Sequence, residues 1–254
     1  MKLRYAGSTH VGMRRSHNED AFILVPKEKL YVVADGMGGH ACGEVASRMT
    51  VETLEEFFRA TSDDPETTWI CKPDPQLSEQ ANRLRAAIML ANNKIYERAQ
   101  RDPAHRGMGT TVVSAVFYDG NVSVAHVGDS RVYRWRGGEL TQMTEDHSLL
   151  NDYKKIASLT AEEERNFQHK NIIVRALGMK ADVVVDVLSE TPQIGDIYLL
   201  CSDGLSGEVT DQEIASIISD SRGDLELACA QLIETACNNG GKDNVTAVIV
   251  MVTE

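Results

Sequence analysis

The sequence lacks an excess of basic residues. Its 254 residues include 26 Lys and Arg against 38 Asp and Glu, which gives a formal net charge of −12. A chain with this charge repels polyanions and anionic lipid surfaces, so we expect neither nucleic acid nor a membrane as a partner. The acidic balance is compatible with a set of carboxylates that bind metal ions.

Long apolar runs and paired cysteines are also missing. No segment approaches the roughly 18 apolar residues of a membrane-spanning helix, and residues 1–20 have no apolar core of signal-peptide length. These absences predict a cytoplasmic protein. The chain has five cysteines without a CxxC pair, which predicts reduced, mostly buried thiols instead of disulfides or a zinc site.

Helical and strand periods occupy separate blocks of the chain. Apolar positions at helical spacing predict helices over residues 44–58 and 79–100, whereas residues 110–140 alternate in steps of two and predict an antiparallel meander. The other predicted strands are 30–34, 183–188, 197–201 and 245–252, and the other predicted helices are 211–219 and 224–238, with Asp211 and Asp224 at N-cap positions. This arrangement favours an α+β layered sandwich over a βαβ winding.

A chain of this length can bury one sizeable core, and we expect a single domain over residues 1–254. Two segments interrupt its periodic pattern. Residues 61–78 contain Pro65, Pro73 and Pro75 and are predicted to form a surface insertion. Residues 148–170 are polar and weakly periodic, which predicts either a mobile flap or a short exposed helix. Both segments are candidates for substrate specificity.

Acidic residues recur at the ends of predicted strands. The stretch LYVVADGMGGH, residues 30–40, joins an apolar strand to Asp35 and a glycine-rich loop. The pattern returns at Asp129 in AHVGDSR, where the alternation predicts a hairpin turn, at Asp203 in LLCSDG and at Asp243 in GKDNVTAVIV. Taken singly, an Asp in a turn often caps local backbone N–H groups, and that interpretation stays open.

Taken together, the acids indicate a cation site. Carboxylates brought close by converging strand tips repel each other unless a cation lies between them, and ligands that are all oxygen favour Mg²⁺ or Mn²⁺. Two such ions can activate a water molecule and hold a phosphoryl oxygen. The stretch GMRRSHNED places Arg14 and Arg15 ahead of Glu19 and Asp20. A guanidinium suits a phosphate, although plain surface charge is an open alternative for this pair.

Several short motifs together resemble a known family. RSHNED, ADGMGGH, GDSR, SDG and KDN occur in the order and rough spacing of the metal-dependent serine/threonine protein phosphatases, the protein phosphatase 2C-like or PPM family, in their compact bacterial form. The resemblance covers essentially the whole chain. It implies an α-β-β-α sandwich of two antiparallel sheets flanked by helices, with a metal site in the cleft at the sheet edges. It also implies hydrolysis of phosphoserine and phosphothreonine in proteins by direct attack of metal-bound hydroxide on phosphorus.

The resemblance implies a ligand set for two Mn²⁺ or Mg²⁺ ions. Asp35 would bridge the two ions. The Gly36 carbonyl and Glu19 would serve one of them, partly through water, and Asp203 and Asp243 would serve the other. The carboxylate at the strand tip and the tight glycine loop are then parts of one metal site.

Further roles follow from the same resemblance. Arg15 would bind the substrate phosphate, Asp20 would orient metal-bound water, and Asn244 would steady Asp243. Asp129 with Asp203 would bind a third, weaker ion. The implied partners are phosphorylated proteins and a cognate serine/threonine kinase whose products the enzyme reverses, and we expect a monomer.

One position departs from the family pattern. Animal members carry a histidine directly after this Asp-Gly, proposed as the general acid for the leaving alkoxide, whereas this chain has Met37. His40 is near in sequence, and a metal-bound water is another possible proton donor. We predict that His147 in EDHS holds a turn instead of transferring a proton.

Two other site types share local features with this chain. Gly36-x-Gly38-x-x-Ala41 loosely matches a dinucleotide fingerprint, but Asp35 would repel the pyrophosphate and no βαβ pattern follows. The spacing from Cys42 to the arginine six residues later matches a cysteine-dependent phosphatase loop. An acidic residue within that segment and its helical pattern argue against such a loop.

The alternative from another functional class is a non-catalytic sensor domain that keeps the same fold and binds a partner. Loss of metal ligands would be the sign of such a domain, and the motifs above retain them. The sequence therefore predicts an active enzyme.

Overall fold

The computed structural model describes residues 1–38, 42–62, 71–157, 159, 163, 167 and 172–254. Within these residues the strands are β1 Leu3–His10, β2 Asp20–Val25, β3 Leu30–Met37, β4 Gly109–Thr110, β5 Val112–Tyr118, β6 Asn121–Val127, β7 Arg131–Arg136, β8 Glu139–Gln142, β9 Asp186–Glu190, β10 Ile197–Cys201 and β11 Val245–Val252. The α-helices are α1 Gly43–Ala60, α2 Glu79–Arg101, α3 Leu149–Ile156, α4 Asp203–Ser206, α5 Asp211–Asp220 and α6 Leu225–Asn238.

The strands form two antiparallel sheets. Sheet I has the order β1-β11-β10-β7-β8, and sheet II has the order β2-β3-β5-β6-β9, with the short β4 paired to β3. Helices α1 and α2 pack on sheet II, and α5 and α6 pack on sheet I. The predicted α-β-β-α sandwich is therefore confirmed.

An apolar core fills the space between the two sheets. The rings of Tyr31, Phe117 and Tyr198 are buried there. Phe117 contacts the other two rings edge to face, with centroids 5.9 and 5.3 Å apart. Such pairs add about 0.5–1.5 kcal/mol each beyond the burial of their surface. The sheets are thus held face to face by a row of aromatic side chains.

The prediction of one continuous meander over residues 110–140 is wrong. Strands β5 and β6 pair in sheet II, whereas β7 and β8 pair in sheet I, so the chain crosses between the sheets at residues 128–130. Gly128 has a φ of +112° there, and a Cβ atom would lie 2.5 Å from the Cβ of Thr111. Asp129 therefore lies in a crossover segment and not in the hairpin turn that the alternating pattern predicted.

The helix starts were predicted with one error. Asp224 is the N-cap of α6, as expected, and its side chain accepts a hydrogen bond from Leu227 N. The N-cap of α5 is Thr210 instead of Asp211. Thr210 and Glu213 form a reciprocal capping box, in which each side chain accepts from the backbone N–H of the other residue.

Parts of the predicted insertion and flap lie outside the described residues, namely 63–70, 158, 160–162, 164–166 and 168–170. The described part of the second segment begins with α3, a helix whose residues are exposed or half-buried. All five cysteines are free of disulfide bonds. None of the helices in the described ranges combines the length and apolarity needed to cross a bilayer.

Candidate metal centre

Asp35 lies near the end of β3, and two threonines fix the backbone around it. Thr111 N donates to the Asp35 carbonyl oxygen at 2.9 Å, and Asp35 N donates to Thr111 Oγ1 at 3.2 Å. Thr110 Oγ1 donates to the same carbonyl oxygen at 2.8 Å. These hydrogen bonds hold the Asp35 backbone in place, and with it the point from which the carboxylate projects.

Gly36 allows three chain segments to approach closely. Its N–H donates to the Glu19 carbonyl oxygen at 3.1 Å. A Cβ atom on Gly36 would run into the carbonyl oxygen of Gly43 at the start of α1 and would lie 2.6 Å from that of Glu19. Because these obstacles are backbone atoms, only glycine fits at this position.

Asp203 and Asp243 come from neighbouring strands of sheet I. Asp203 is the first residue of α4 and is separated from β10 only by Ser202, and Asp243 precedes β11. Asp203 lies within hydrogen-bonding reach of Asp35 from the other sheet. The acids predicted from three separate motifs therefore meet.

Asp20 is held by one carboxylate oxygen only. It pairs with Asp35 across β2 and β3, and its Oδ2 accepts hydrogen bonds from Ser202 Oγ at 2.8 Å and Thr246 Oγ1 at 2.6 Å. Its Oδ1 is buried without a hydrogen-bond partner. The two hydroxyls of sheet I thus orient a carboxylate of sheet II and leave one oxygen available for a ligand.

Asn244 anchors the segment that carries Glu19. Its Nδ2 donates to the carbonyl oxygens of Val11 and His17, each at 2.9 Å, and its Oδ1 accepts from Glu19 N at 2.7 Å. The predicted contact with Asp243 is made by the Asn244 backbone N–H, which donates to Oδ1 of that residue at 2.9 Å. Burial raises the pKa of the Glu19 carboxyl above its ordinary value.

Asp129 is close to the other acids but carries an unpartnered oxygen. It is 8% exposed, and its Oδ1 is buried without a hydrogen-bond partner. The next residue, Ser130, shares a hydrogen bond of 2.7 Å between its hydroxyl and that of Thr111. The crossover segment is thereby tied to the same threonine that supports Asp35.

Burial and mutual repulsion raise the pKa values of the grouped acids. Burial is the main cause for Asp35, whose pKa lies well above its ordinary value, and the charges of Asp20 and Asp203 add to it. Burial also raises the pKa of Asp20 and that of Asp129 to about 7 each. The pKa of Asp203 is raised by burial and by the charge of Asp243. Without a counter-charge, this group is electrostatically unfavourable.

Arg15 brings a cationic side chain to the edge of this group. Its guanidinium donates to Asp243 Oδ2 at 2.6 Å, and half of its side chain is exposed to solvent. The guanidinium also lies close enough to Glu19 and Asp35 for their charges to raise its pKa, after the larger effect of the Asp243 contact. A cleft of about 410 Å³ opens beside Asp203 and Asp243.

The donors present fit a hard divalent cation. Carboxylate and carbonyl oxygens converge from both sheets, and the buried Oδ1 atoms of Asp20 and Asp129 have no partner in the described residues. Oxygen donors of this kind bind Mg²⁺ or Mn²⁺ in preference to softer metals. A bound cation would also relieve the repulsion that raises the pKa values of these acids.

The two rival site types do not form. Cys42 is buried directly before α1 and its Sγ donates to the Ala104 carbonyl oxygen at 3.0 Å, while Arg48 is exposed on the same helix. This arrangement contradicts a cysteine-dependent phosphate loop. Strand β3 is antiparallel to both of its long neighbours, which contradicts a dinucleotide-binding βαβ unit. His40, another residue considered above, lies outside the described residues.

Several residues of the centre were not predicted from the sequence. They are hydroxyl side chains that orient the acids: Thr110, Thr111, Ser130, Ser202 and Thr246. All are buried. The signal available in the sequence was a polar residue within or beside an otherwise apolar strand, such as Thr246 in the run NVTAVIV.

Comparison with known proteins identifies close relatives over nearly the full chain. A profile of the family Protein phosphatase 2C matches residues 6–247. The Serine/threonine phosphatase stp of Listeria monocytogenes is 37% identical over 245 residues, which cover 95% of this chain and 93% of that protein.

Solved structures agree with the sequence matches. Serine/threonine phosphatase Stp1 from Staphylococcus aureus has a TM-score of 0.87 and 33% identity, over 100% of this chain and 96% of the other. The catalytic domain of serine/threonine protein phosphatase PstP, solved in complex with 2 manganese ions, has a TM-score of 0.81 and 34% identity, over 99% of both chains.

Proposed function

The chain belongs to the protein phosphatase 2C family, and on that basis we propose that its acidic centre hydrolyses phosphoserine and phosphothreonine in proteins with divalent metal ions. The observation that carries the proposal is the convergence of acids from both sheets, Asp20 and Asp35 from one and Asp203 and Asp243 from the other. A non-catalytic sensor domain would have no need of these acids. Because each of them is in place, the catalytic function is favoured.

The proposed metal ligands follow the grouping of the acids. Asp35 would contribute to two ions, with the Gly36 carbonyl and Glu19 serving one of them and Asp203 and Asp243 the other. When bound, two such ions lower the pKa of a water molecule and neutralise charge on a phosphate oxygen. The 2 manganese ions of the PstP structure support Mn²⁺ as the first ion to test.

Other side chains would handle the substrate and the water. Arg15 would bind phosphate oxygens through its forked guanidinium. The free Oδ1 of Asp20 would accept a hydrogen bond from the attacking water, while Ser202 and Thr246 hold Oδ2. Met37 has no proton to donate, so the leaving serine or threonine oxygen would take its proton from water.

The finer parts of the proposal concern a third ion and the partners. Asp129, with its unpartnered Oδ1, and Asp203 would bind a third and weaker ion. Phosphorylated side chains in proteins are made by protein kinases, so we propose a cognate serine/threonine kinase as the enzyme that supplies the substrate. A single domain over residues 1–254, the monomeric state and the cytoplasmic location stay predictions.

The deciding experiment measures phosphate release from a phosphothreonine peptide. Wild type, Asp203→Asn and Cys42→Ser are stripped with EDTA and assayed before and after addition of Mn²⁺. We expect activity in wild type and Cys42→Ser only after Mn²⁺ is restored, and none in Asp203→Asn. Activity that ignores EDTA and disappears in Cys42→Ser would move the chemistry to the cysteine. No release by metal-loaded wild type from any phosphoserine or phosphothreonine peptide would favour the sensor domain.

A further inference from the structure

His147 bonds both backbone polar groups of Gly128, the residue before Asp129. The backbone N–H of His147 donates to the Gly128 carbonyl oxygen at 2.9 Å. In return, Gly128 N donates to Nδ1 of the His147 ring at 3.0 Å. Gly128 lies outside the strands, in the crossover between the sheets, so strand pairing does not hold it there. One buried residue, through its backbone N–H and its ring, therefore holds the backbone directly before Asp129.

These contacts determine the tautomer of His147. Because Nδ1 accepts the Gly128 N–H, the ring proton of neutral His147 lies on Nε2, which donates to Asp186 Oδ2 at 3.1 Å. Asp186 Oδ1 in turn accepts from Arg175 at 2.6 Å. The ring thus links the crossover segment to strand β9 and to Arg175.

A second ring keeps His147 in place. His126 of β6 stacks on it with centroids 4.6 Å apart and planes 16° apart, and its Nε2 donates to the Glu145 carbonyl oxygen at 2.9 Å. Burial lowers the pKa of both imidazoles below the ordinary value. Both rings are therefore neutral at pH 7, as the tautomer assignment requires.

Close spacing alone would make these groups a candidate metal site. Single ligand atoms of His126, His147 and Asp186 lie within 4.8 Å of one another. A metal-binding imidazole, however, donates from its other ring nitrogen to an acceptor. The other nitrogen of His147 instead accepts the N–H of Gly128, so its Nε2 has no lone pair for a metal. The cluster is a hydrogen-bond chain and not a metal site.

His147 also directly precedes the segment of residues 148–172, whose two ends are joined by backbone hydrogen bonds. Leu149 N donates to the Ile172 carbonyl oxygen, and Val174 N donates to the His147 carbonyl oxygen, each at 2.9 Å. The two ends of this segment therefore meet beside His147. His147 thus bonds both Val174, which follows the segment, and Gly128, which precedes Asp129.

We propose that His147 is a positioning residue that holds Asp129 in place for the third, weaker ion through its paired hydrogen bonds to Gly128. The inference rests on the proposed function, which assigns that ion to Asp129 and Asp203. Three observations support the inference. They are the two hydrogen bonds between His147 and Gly128, the buried Asp129 Oδ1 without a partner, and the absence of strand pairing at residues 128–130.

Two amide variants separate the contacts of the ring. The side-chain oxygen of Asn reaches the place of Nδ1 and can accept the Gly128 N–H, whereas the longer Gln reaches the place of Nε2 and can contact only Asp186. The experiment compares wild type, His147→Asn, His147→Gln and His147→Ala as full chains. Binding of Mn²⁺ alone to the stripped proteins is measured by calorimetry, and exchange of the Gly128 amide proton is measured by NMR in EDTA.

We expect the weakest Mn²⁺ site to lose about 10- to 100-fold in affinity in His147→Gln and His147→Ala, the range found for residues that support a ligand. His147→Asn should stay within about threefold of wild type, since it keeps the contact to Gly128. The tighter sites should not change. The Gly128 amide proton should be protected in wild type and His147→Asn and should exchange faster in His147→Gln.

Four results would overturn the inference. Equal binding curves for His147→Asn and His147→Gln would show that the Gly128 contact does not matter. Equal weakening of every site, together with a lower melting temperature, would show a merely structural role. If wild type has Mn²⁺-dependent activity but no weaker site, the inference fails alone, whereas wild type that binds no Mn²⁺ at all contradicts the proposed function as well.

Discussion

The Arg15 guanidinium donates to Oδ2 of Asp243 at 2.6 Å. The residue proposed to bind the substrate phosphate is therefore oriented by an acid proposed to bind a metal ion. The contact is half exposed, so it contributes little to stability, about 0–1 kcal/mol. Its effect is to place the guanidinium at the edge of the acidic centre.

Replacement of Arg15 should impair substrate use without unfolding the protein. Hydrogen bonds to a charged group contribute about 1.5–3 kcal/mol, so Arg15→Ala should lower kcat/KM for a phosphothreonine peptide by about 10- to 100-fold. Arg15→Lys should recover only part of this loss, because an ammonium cannot match a phosphate with two parallel donors. The measurement is steady-state kinetics at saturating Mn²⁺, together with the melting temperature.

The matched control is Arg14→Ala, which removes the same charge from the exposed neighbour. We expect it to retain kcat/KM within about twofold of wild type, as surface substitutions change free energies by no more than about 0.5 kcal/mol. Equal losses in the two variants would mean that Arg15 acts only through general charge.

Asp203→Asn should stabilise the metal-free protein while abolishing activity. The substitution keeps the size of the side chain but removes a carboxyl group. The pKa of that carboxyl is raised by burial and by the charge of Asp243. A gain of about 1 kcal/mol corresponds to a rise of some 2–4 °C in melting temperature for a chain of this length. Thermal unfolding in EDTA measures this change, and Asp182→Asn is the control for loss of one exposed charge. A melting temperature below that of wild type would contradict the repulsion described above.

The metal-free protein should become less stable as the pH rises from about 4 to about 7. Asp20 and Asp129 have pKa values raised from the ordinary 3.8 to about 7, so in this interval the folded state binds more protons than the unfolded state. The stability from these groups is complete below pH 3.8 and is lost as the pH rises through about 7, by up to about 1.4 kcal/mol per pH unit for each proton.

Urea unfolding in EDTA at a series of pH values tests this sign. With saturating Mn²⁺ the dependence should reverse, because the ion binds the deprotonated acids and so competes with protons. Stability of the stripped protein that increases between pH 4 and 7 would show that the acids are not held as the structure has them.

Gly36→Ala should destabilise the protein and disturb the centre. The added Cβ would meet the carbonyl oxygens of Gly43 and Glu19, and backbone atoms cannot move aside as a flexible side chain can. We expect a loss of about 1–3 kcal/mol, the cost of overpacking, and therefore a lower melting temperature. Gly120→Ala is the control, since its Cβ would meet nothing within 4 Å and only its φ of +77° is unfavourable. An equal effect of both substitutions would contradict the importance of the close approach.

Apolar pattern was sufficient to predict the central elements of the fold. Strands β10 and β11 have the bounds that were predicted, because each is a run of mostly apolar residues, nearly all of them buried. Strand β1 was missed. Its sequence LRYAGSTH contains small polar residues, and seven of its eight residues are exposed or half-buried. Its strand structure therefore depends on pairing with β11 near the other end of the chain.

The acids of the centre were predictable because they stand at strand ends, but their supports were not. Thr111 supports Asp35 over a separation of 76 residues, and Thr246 supports Asp20 over 226 residues. Which hydroxyl faces which acid depends on the register of two different sheets, and no local pattern encodes it. The crossover at Gly128 was missed for the same reason, since an alternating pattern does not reveal when the chain changes sheets.

The position of β11 has a consequence for the order in which the enzyme acquires activity during synthesis. This strand lies between β1 and β10 in sheet I, although it is made after every other described strand. The residues that enter the centre with it are Asp243, Asn244 and Thr246. In a nascent chain that lacks residues 243–252, β1 has no neighbour in sheet I and the acidic centre is incomplete. Catalytic competence therefore appears only when β11 inserts.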